Sequence, residues 1–489
     1  MDAWRAWAPA AAVLAPFAAA MLIPFASSRP NLREAITFTA AGALWLLVGW
    51  MLWELFRGRI AGGELFALAP GLSLAFRADA FGLMFAAVSS TLWIATSSYS
   101  IGYARALSMH AQTRFFAVFA VCLGAAAGIA LAANLFTFVI FYEILTLATY
   151  PLVVHQGTRK AKVAGRIYLC YALTAGALLL GATAWLWQLT GDLSFRPGGL
   201  APGALDVRTV TWLFVLLSIG FGVKAGVMPL HAWLPVAMIA PTPVSALLHA
   251  VAVVKAGVFG YLRLIHFILG PDAMREAGLW EPLAWVAAAT ILCSSIIALR
   301  QDELKRRLAY STVSHLSYII LGAAMLVPAG QIGALLHLAN HAMLKITLFF
   351  CAGAIYVAAH KDRVSQLDGL GWRMPVTFGA FAIGALGLAG VPGLCGFISK
   401  WWLARATIEA GAPWLMGVLL LSGILNIAYL LPIVTRGFSG PRRGPVLEAP
   451  MTMLVPIVVI AAASVVFGSV APAIAAQTAL GYRALEAAP

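Results

Sequence analysis

Long apolar stretches recur along the whole chain and leave it few ways to fold. A transmembrane helix needs about 20 mostly apolar residues to cross the hydrocarbon core of a bilayer. Hydrophobic residues make up 62% of the chain and charged residues only 10%, against the ~25% charged of soluble domains. The sequence therefore predicts an all-α polytopic membrane protein with fourteen transmembrane helices, which begin near residues 8, 34, 79, 114, 134, 164, 210, 243, 281, 309, 331, 376, 413 and 449.

The same composition disfavours a soluble enzyme, a disordered chain and a nucleic-acid binder, because a soluble protein of 489 residues cannot hide so much apolar surface. The sequence contains no dinucleotide fingerprint, P-loop, haem motif or iron–sulfur motif. We therefore expect no cofactor, no metal and no redox centre in this chain, so energy for any transport comes from elsewhere. Five cysteines lie in apolar stretches without the spacing of metal ligands, namely Cys122, Cys170, Cys293, Cys351 and Cys395.

The distribution of basic residues predicts an orientation. The chain has 32 Lys and Arg against 18 Asp and Glu. Connections after odd-numbered predicted spans hold 18 of these basic residues, and the opposite side holds eight. Since cytoplasmic loops are enriched in Lys and Arg, we expect both termini on the non-cytoplasmic side.

Five charged residues fall inside predicted spans: Glu143, Lys224, Lys255, Lys345 and Lys400. A charge at the bilayer centre costs ~2.5 to 3.5 kcal/mol or more, so such residues face a bundle interior or water and are candidates for function. Glu143 is the only acidic residue deep in a span. The alternative to a functional role is that Glu143 forms a structural ion pair that holds two helices together.

Two of these lysines stand beside sequences that break helices. Lys224 precedes Pro229 in the seventh span, and Lys400 follows the Gly- and Pro-rich stretch around Pro392 in the twelfth. Proline removes a backbone donor, and broken helices at mid-membrane commonly mark ion sites. The alternative is that these glycines and prolines serve helix packing alone. The two helix breaks lie five spans apart. Because an odd number of spans inverts the topology, they could be equivalent positions in an inverted repeat.

Histidines extend the pattern of titratable residues. His337, His341 and Lys345 stand at i, i+4 and i+8 on one helical face, which predicts a polar stripe able to relay protons. A lone histidine would more often be a core residue whose hydrogen bonds are satisfied. Metal binding by His337 and His341 is a further alternative, but no nearby acidic residue or cysteine supports it. Lys255 is a candidate to bridge the seventh and eleventh spans. His249 is weaker, because six residues place it ~120° from Lys255.

Four segments together resemble a known family. They are residues 141–151 with Glu143, residues 224–243 with the His-Ala-Trp-Leu-Pro run, residues 302–312, and residues 337–353. At these positions the chain resembles the antiporter-like proton-translocating subunits of respiratory complex I, Mrp-type cation/proton antiporters and membrane-bound hydrogenases. The resemblance extends from about the third to the thirteenth predicted span.

The resemblance implies a fold of two inverted five-helix repeats, each with a broken helix. Residues 1–113 would hold the first three spans, residues 114–268 and 281–437 the two repeats, and residues 449–489 the last span. The resemblance also implies the inner membrane of a bacterium or archaeon. The chain stops after this last span, without the long lateral helix of the largest family member.

For the site, the resemblance implies that Glu143 and Lys224 pair in one half-channel and that Lys400 controls the exit. A central polar axis would join them, formed by Lys255, His337, His341 and Lys345. A lysine at position 400 argues against the complex I subunit that carries glutamate there. With the chain length, it favours the Mrp D-type subunit or its relatives in hydrogenase and quinone-reductase assemblies.

We therefore expect a proton-translocating subunit of a multisubunit membrane complex. Its partners would be other membrane subunits, protons, the lipid bilayer and, as a further candidate ion, Na⁺. The coupled process would be NADH/quinone or hydrogenase-type electron transfer, or Na⁺/H⁺ antiport of the Mrp type. One alternative is a self-sufficient secondary transporter of a cation or solute, although few acids are available for a cation site. Another is a scaffold whose buried charges only fix helix register.

Overall fold

Long helices dominate the computed structural model, which describes residues 2–201, 203–247, 252–441 and 444–486. Eleven of the described helices are long and apolar enough to cross a membrane. The chain is thus a predominantly helical, multi-pass membrane protein, as the apolar stretches predict. The predicted spans near residues 243, 309 and 376 are not among these eleven, because they are interrupted or rich in polar residues.

Side-chain caps begin many of the helices in the first half of the chain. Asp79, Asn134, Thr158 and Asp206 each accept a hydrogen bond from a backbone N–H three residues later, which satisfies a donor that has no partner inside the helix. The helices are α1 (Asp2–Leu22), α2 (Pro30–Phe56), α3 (Ala80–Ala106), α4 (Gln112–Ala130), α5 (Leu135–Val153), α6 (Arg159–Thr190) and α7 (Val207–Ala225).

A β-hairpin between α2 and α3 was not expected from the sequence. Strands β1 (Gly62–Ala69) and β2 (Leu72–Arg77) pair in antiparallel fashion around a turn at Pro70 and Gly71. Gly71 has φ +71°, a left-handed conformation that a turn requires and glycine adopts freely. The short alternating stretch is hard to recognise between two long apolar runs, and it adds one small sheet to a helical protein.

The middle of the chain is built from short, interrupted helices. These are α8 (Trp233–Val236), α9 (Thr242–Ala246), α10 (Val253–Arg263) and α11 (Pro271–Glu276), with a 3₁₀ turn at Ala237–Ile239 and a π-helical turn at Leu264–Ile268. Every residue of α10 is buried. Interrupted backbone at membrane depth is tolerated where it is buried in protein, as α10 is.

The remaining helices complete the bundle around α14. They are α12 (Trp280–Leu299), α13 (Leu304–Ala324), α14 (Pro328–Ala359), α15 (Pro375–Ala389), α16 (Cys395–Glu409), α17 (Trp414–Gly437) and α18 (Met451–Glu486). Short 3₁₀ turns occupy Ile23–Ala26, Val364–Gln366 and Leu370–Trp372. Helix α14 packs against α13, α15, α16 and α18, and α13 also packs against α10. Residues 311–324 of α13 are all buried, so its hydroxyl groups and histidine face protein rather than lipid.

Candidate functional site

The charged residues predicted inside the membrane lie on five helices. Glu143 is on α5, Lys224 on α7, Lys255 on α10, Lys345 on α14 and Lys400 on α16. Lys224 is 1% exposed, and Lys255 and Lys345 are 0% exposed. Charges buried this deeply need hydrogen-bond partners, so the contacts of each one define the site.

Lys224 meets α5 beside Glu143. Its Nζ donates to the carbonyl oxygen of Tyr142 at 2.6 Å and lies 3.3 Å from the centroid of the Tyr142 ring. Glu143 Oε1 has no hydrogen-bond partner among the described residues. A Cβ on Gly176 of α6 would lie 2.5 Å from that oxygen, so α6 closes tightly over the carboxylate. The ammonium therefore contacts the residue that precedes Glu143 in the chain rather than the carboxylate oxygen Oε1.

The end of α7 is held by residues that follow it in the chain. Helix α7 ends at Ala225, and Gly226 has the left-handed φ of +70° that ends many helices. The carbonyl of Val223 accepts a 2.7 Å hydrogen bond from the indole of Trp233. Pro229 lies in the exposed turn after this helix end. Lys224 therefore stands in the last turn of a helix whose end is fixed by α8.

Helix α10 passes directly over this end. A Cβ on Gly257 would lie 2.3 Å from the backbone nitrogen of Ala225, a distance that no real Cβ contact shows. Only glycine permits so close an approach. The backbone that carries Lys255 therefore lies against the backbone that carries Lys224.

Lys255 contacts α14. Its Nζ lies 2.9 Å from Nδ1 of His341, a residue that is 0% exposed. The other ring nitrogen of His341, Nε2, has no partner within the described part of the chain. A lysine and an imidazole at this distance can exchange a proton, since each is able to accept it from the other.

Lys345 turns away from the two histidines of its own helix. Its Nζ donates to Oγ of Ser311 on α13 at 2.7 Å and lies 3.5 Å from the carbonyl oxygen of Leu308. The hydroxyl of Tyr429 lies 2.9 Å from the same Ser311 Oγ. The predicted polar stripe thus shares one helix, but its members contact different neighbouring helices.

His337 contacts a third set of partners. Its Nδ1 lies 2.8 Å from Oγ of Ser399, and its Nε2 lies 3.1 Å from Nδ1 of His315. The His315 ring stacks at 5.3 Å from the His337 ring and at 5.4 Å from the His341 ring. Its Nε2 lies 3.1 Å from Oδ1 of Asn426 on α17. Three imidazoles therefore form one buried stack between α13 and α14.

Lys400 stands at the second helix interruption. Helix α15 ends at Ala389 and α16 begins at Cys395, with Pro392 exposed in between. The Lys400 Nζ donates to the carbonyl oxygen of Ala389 at 3.0 Å and lies 5.3 Å from the centroid of the Tyr318 ring. The last carbonyls of a helix have no partner within it, and here the lysine supplies one.

Sequence reasoning missed a group of uncharged polar residues in the same site. These are Ser311, His315, Ser399, Asn426 and Tyr429, all buried. A signal existed for His315, which stands in a span with several Ser and Thr residues. His249, the weaker candidate, lies outside the described residues.

Chemically, the site offers proton donors and acceptors in short contact. In the described ranges, no group of three or more His, Cys, Asp or Glu side chains is placed to hold a metal ion. Lysine, imidazole, hydroxyl and carboxyl groups can each hold or pass a proton. The arrangement is suited to moving protons through the interior of the bundle.

Comparisons with known proteins identify the family and relatives of this chain. Residues 132–427 match the family model NADH:quinone oxidoreductase/Mrp antiporter, TM. The chain is 34% identical over 393 residues to NADH-quinone oxidoreductase subunit N of Desulforudis audaxviator, covering 77% of this chain and 78% of that one. It is 31% identical over 424 residues to hydrogenase-4 component B of Escherichia coli, covering 80% of this chain and 61% of that longer one.

A solved structure shares the fold. A chain of the Mrp complex from Dietzia sp. DQ12-45-1b superposes with a TM-score of 0.87 over 98% of this chain and 96% of that chain, at 22% sequence identity. The resemblance inferred from the four sequence segments is thereby confirmed. The chain belongs to the NADH:quinone oxidoreductase/Mrp antiporter family of membrane proteins.

Proposed function

We propose that this chain is a proton-translocating subunit of a larger membrane complex. The observation that carries the proposal is the contact between Lys255 and His341, two fully buried titratable residues 2.9 Å apart on different helices. A buried lysine without a carboxylate partner is costly to keep charged, so it readily gives its proton to a neighbouring base. Two relatives are named as a subunit of an NADH-quinone oxidoreductase and a component of hydrogenase-4, which supports membership of an assembly.

The proposed path has three sections. Glu143 and Lys224 hold a proton at one side, where Lys224 contacts the residue that precedes Glu143. Lys255, His341 and Lys345 form the centre, and the His337 ring with Ser399 leads to Lys400. Protonating one lysine repels charge on the next, so occupation of one section can drive release from another. The helix ends at Ala225 and Ala389 supply the interrupted backbone that lets water reach Lys224 and Lys400.

We further propose the topology that this path requires. Fourteen spanning segments would form two inverted five-helix repeats, residues 114–268 and 281–437, with both termini on the non-cytoplasmic side of an inner membrane. The interruptions near Pro229 and Pro392 would then be equivalent positions in opposite orientation. In support, each interruption follows a helix that ends with a left-handed glycine, Gly226 or Gly390.

Mild-detergent purification of the tagged chain with mass spectrometry tests the assembly. Co-purified redox subunits would make electron transfer the energy source, and small antiporter subunits would make it cation/proton exchange. Recovery of the chain alone, with transport activity in liposomes, would instead establish a self-sufficient transporter and refute the proposal.

Glu143→Gln and Lys224→Met test the path in the intact complex. Each removes one titratable group, so we expect proton transport into energised vesicles to fall below roughly a tenth, since a positioned proton donor or acceptor contributes more than that. The matched controls are Glu276→Gln and Lys361→Met, which change exposed residues. Unchanged proton flux in either buried variant would refute the proposed role of that residue.

A further inference from the structure

Asn426 lies among the proton-carrying side chains of the site but cannot itself carry a proton. It is 0% exposed on α17. Its Oδ1 lies 3.1 Å from Nε2 of His315 and accepts a hydrogen bond from the hydroxyl of Tyr429. Its Nδ2 has no hydrogen-bond partner within the described ranges. One atom of the amide therefore faces two different titratable neighbours.

On one side of Asn426, a chain of hydrogen bonds leads from Lys345, and each donor in it points towards the amide. A phenol has one proton, and the Oδ1 of Asn426 can only accept, so the Tyr429 proton points at Asn426. Ser311, 2.9 Å from the Tyr429 hydroxyl, then donates to the phenol oxygen, and Lys345 donates to Ser311 at 2.7 Å. Every donor in this branch points towards the amide.

On the other side, hydrogen bonds also run towards it. Neutral His315 donates to Oδ1 through Nε2, which leaves its Nδ1 as an acceptor. Nε2 of His337, 3.1 Å away, must then carry the proton. This leaves Nδ1 of His337 as the acceptor, 2.8 Å from Oγ of Ser399, a hydroxyl that also lies 3.1 Å from the carbonyl oxygen of Gly396. The donors of this branch, too, point towards Asn426.

A proton can travel along a hydrogen-bonded chain only if each member accepts on one side and donates on the other. Asn426 presents the same oxygen, Oδ1, to both neighbours, so it accepts a hydrogen bond on both sides and donates on neither. Turning the amide over would present two donors instead of two acceptors and leave the interruption unchanged. An amide also has no titratable group near neutral pH.

We propose that Asn426 is an insulating residue, which prevents direct proton exchange between the Lys345 branch and the His315–His337 branch. This inference rests on the proposed function and assigns a positioning role in it. Protons would have to cross at the His341 ring, which stacks at 5.4 Å from His315 and has an unpartnered Nε2. That gap closes only when the ring turns or a water enters, so the crossing can be controlled, whereas a continuous chain would leak.

Asn426→Asp tests the proposal, because aspartate has nearly the same shape and can both accept and release a proton. In vesicles of the intact complex without an energy source, we expect passive proton conductance under an imposed pH gradient to rise by roughly tenfold or more, given the effect of a positioned titratable group. Asn426→His supplies a second titratable side chain without a buried negative charge, and the same rise is expected.

Two control variants distinguish proton relay through residue 426 from a leak caused by structural disruption. Asn426→Leu removes both hydrogen bonds without adding a titratable group. Gln331→Glu adds a carboxyl at a buried position on a different helix, α14. Neither should raise the conductance. The inference is overturned if Asp and His variants that assemble conduct no more than the unsubstituted complex, or if the Leu variant conducts as much as they do. Failure of the proposed function is distinct, since the unsubstituted complex would then show no energised proton transport.

Discussion

The Nζ of Lys255 and the Nδ1 of His341 lie 2.9 Å apart, which joins α10 to α14 at the centre of the bundle. Both side chains are 0% exposed, so the bilayer and its water are excluded from the contact. The imidazole Nε2 is unpartnered among the described residues, and the His341 ring stacks at 5.4 Å from the His315 ring. This contact links the half of the chain that carries Lys224 to the half that carries Lys400.

Lys255→Met should interrupt this link, because methionine fills similar space but cannot exchange a proton with His341. We expect energised proton transport to fall below roughly a tenth with normal assembly of the complex. Fluorescence quenching of a pH-sensitive dye in vesicles measures the transport. Lys361→Met, an exposed lysine in a loop, is the control and should retain full transport. Transport at the unsubstituted level in the Lys255 variant would remove this contact from the path.

Gly257→Ala should separate α10 from the end of α7. The new Cβ would lie 2.3 Å from the Ala225 nitrogen, and backbone cannot move as a flexible side chain does. We expect a destabilisation of about 1 to 3 kcal/mol, as for other overpacked cores, and a lower thermal midpoint of the detergent-solubilised complex. Gly181→Ala on α6 is the control, since a Cβ there meets nothing within 4 Å. An equal midpoint in the two variants would contradict the predicted close packing.

Asp79→Asn should destabilise the protein more than most surface changes. Arg263, which is 0% exposed, donates to both carboxylate oxygens of Asp79 at 2.7 and 2.9 Å, tying α10 to the start of α3. Removing one partner of a buried ion pair costs about 3 to 5 kcal/mol, because the other charge is left uncompensated. Thermal unfolding in detergent measures the loss.

The exposed pair between Arg275 and Asp272 provides the matched comparison. Since exposed pairs contribute about 0 to 1 kcal/mol, Asp272→Asn should change the midpoint little. Equal midpoints for Asp79→Asn and Asp272→Asn would show that the Arg263 pair does not hold the helices together.

Stability should fall with acidification because of His155, which follows α5 outside the membrane spans. Burial, together with neighbouring His110 and Arg114, lowers the pKa of His155 from 6.5 to about 4. Between these two values the unfolded chain binds a proton that the folded chain does not, so unfolding is favoured as pH falls from 6.5 towards 4. The full stability is present above pH 6.5 and is lost progressively as the pH falls through this window.

Thermal midpoints measured from pH 7.5 down to pH 4.5 check this dependence. His155→Gln cannot be protonated, so its midpoint should fall less over the same range. The rings of His110 and His155 stack at 4.7 Å, and each Nε2 lies within 3.0 Å of the other residue's carbonyl oxygen. Parallel pH profiles for the two proteins would assign the acid sensitivity to other groups.

Much of the architecture could be read from the order of residues. Apolar segments of spanning length must become helices, because a bilayer offers no water to satisfy the backbone. The same logic singled out Glu143 and the four lysines inside predicted spans, since a charge in a span is too costly to lie there without a role. Pro229 and Pro392 marked chain interruptions because proline lacks the backbone donor that a helix needs.

The partners of these residues depend on how the helices rotate and pack, which local sequence does not encode. Lys345 shares a helical face with His341 but reaches Ser311 on α13, and Lys224 reaches the carbonyl of Tyr142, 82 residues away. Asn426 carries no charge and cannot be protonated near neutral pH, so the cost of burying a charge did not single it out. The places of His315 and Asn426 in the site follow from contacts between α13, α14 and α17, and only packing in three dimensions brings those helices together.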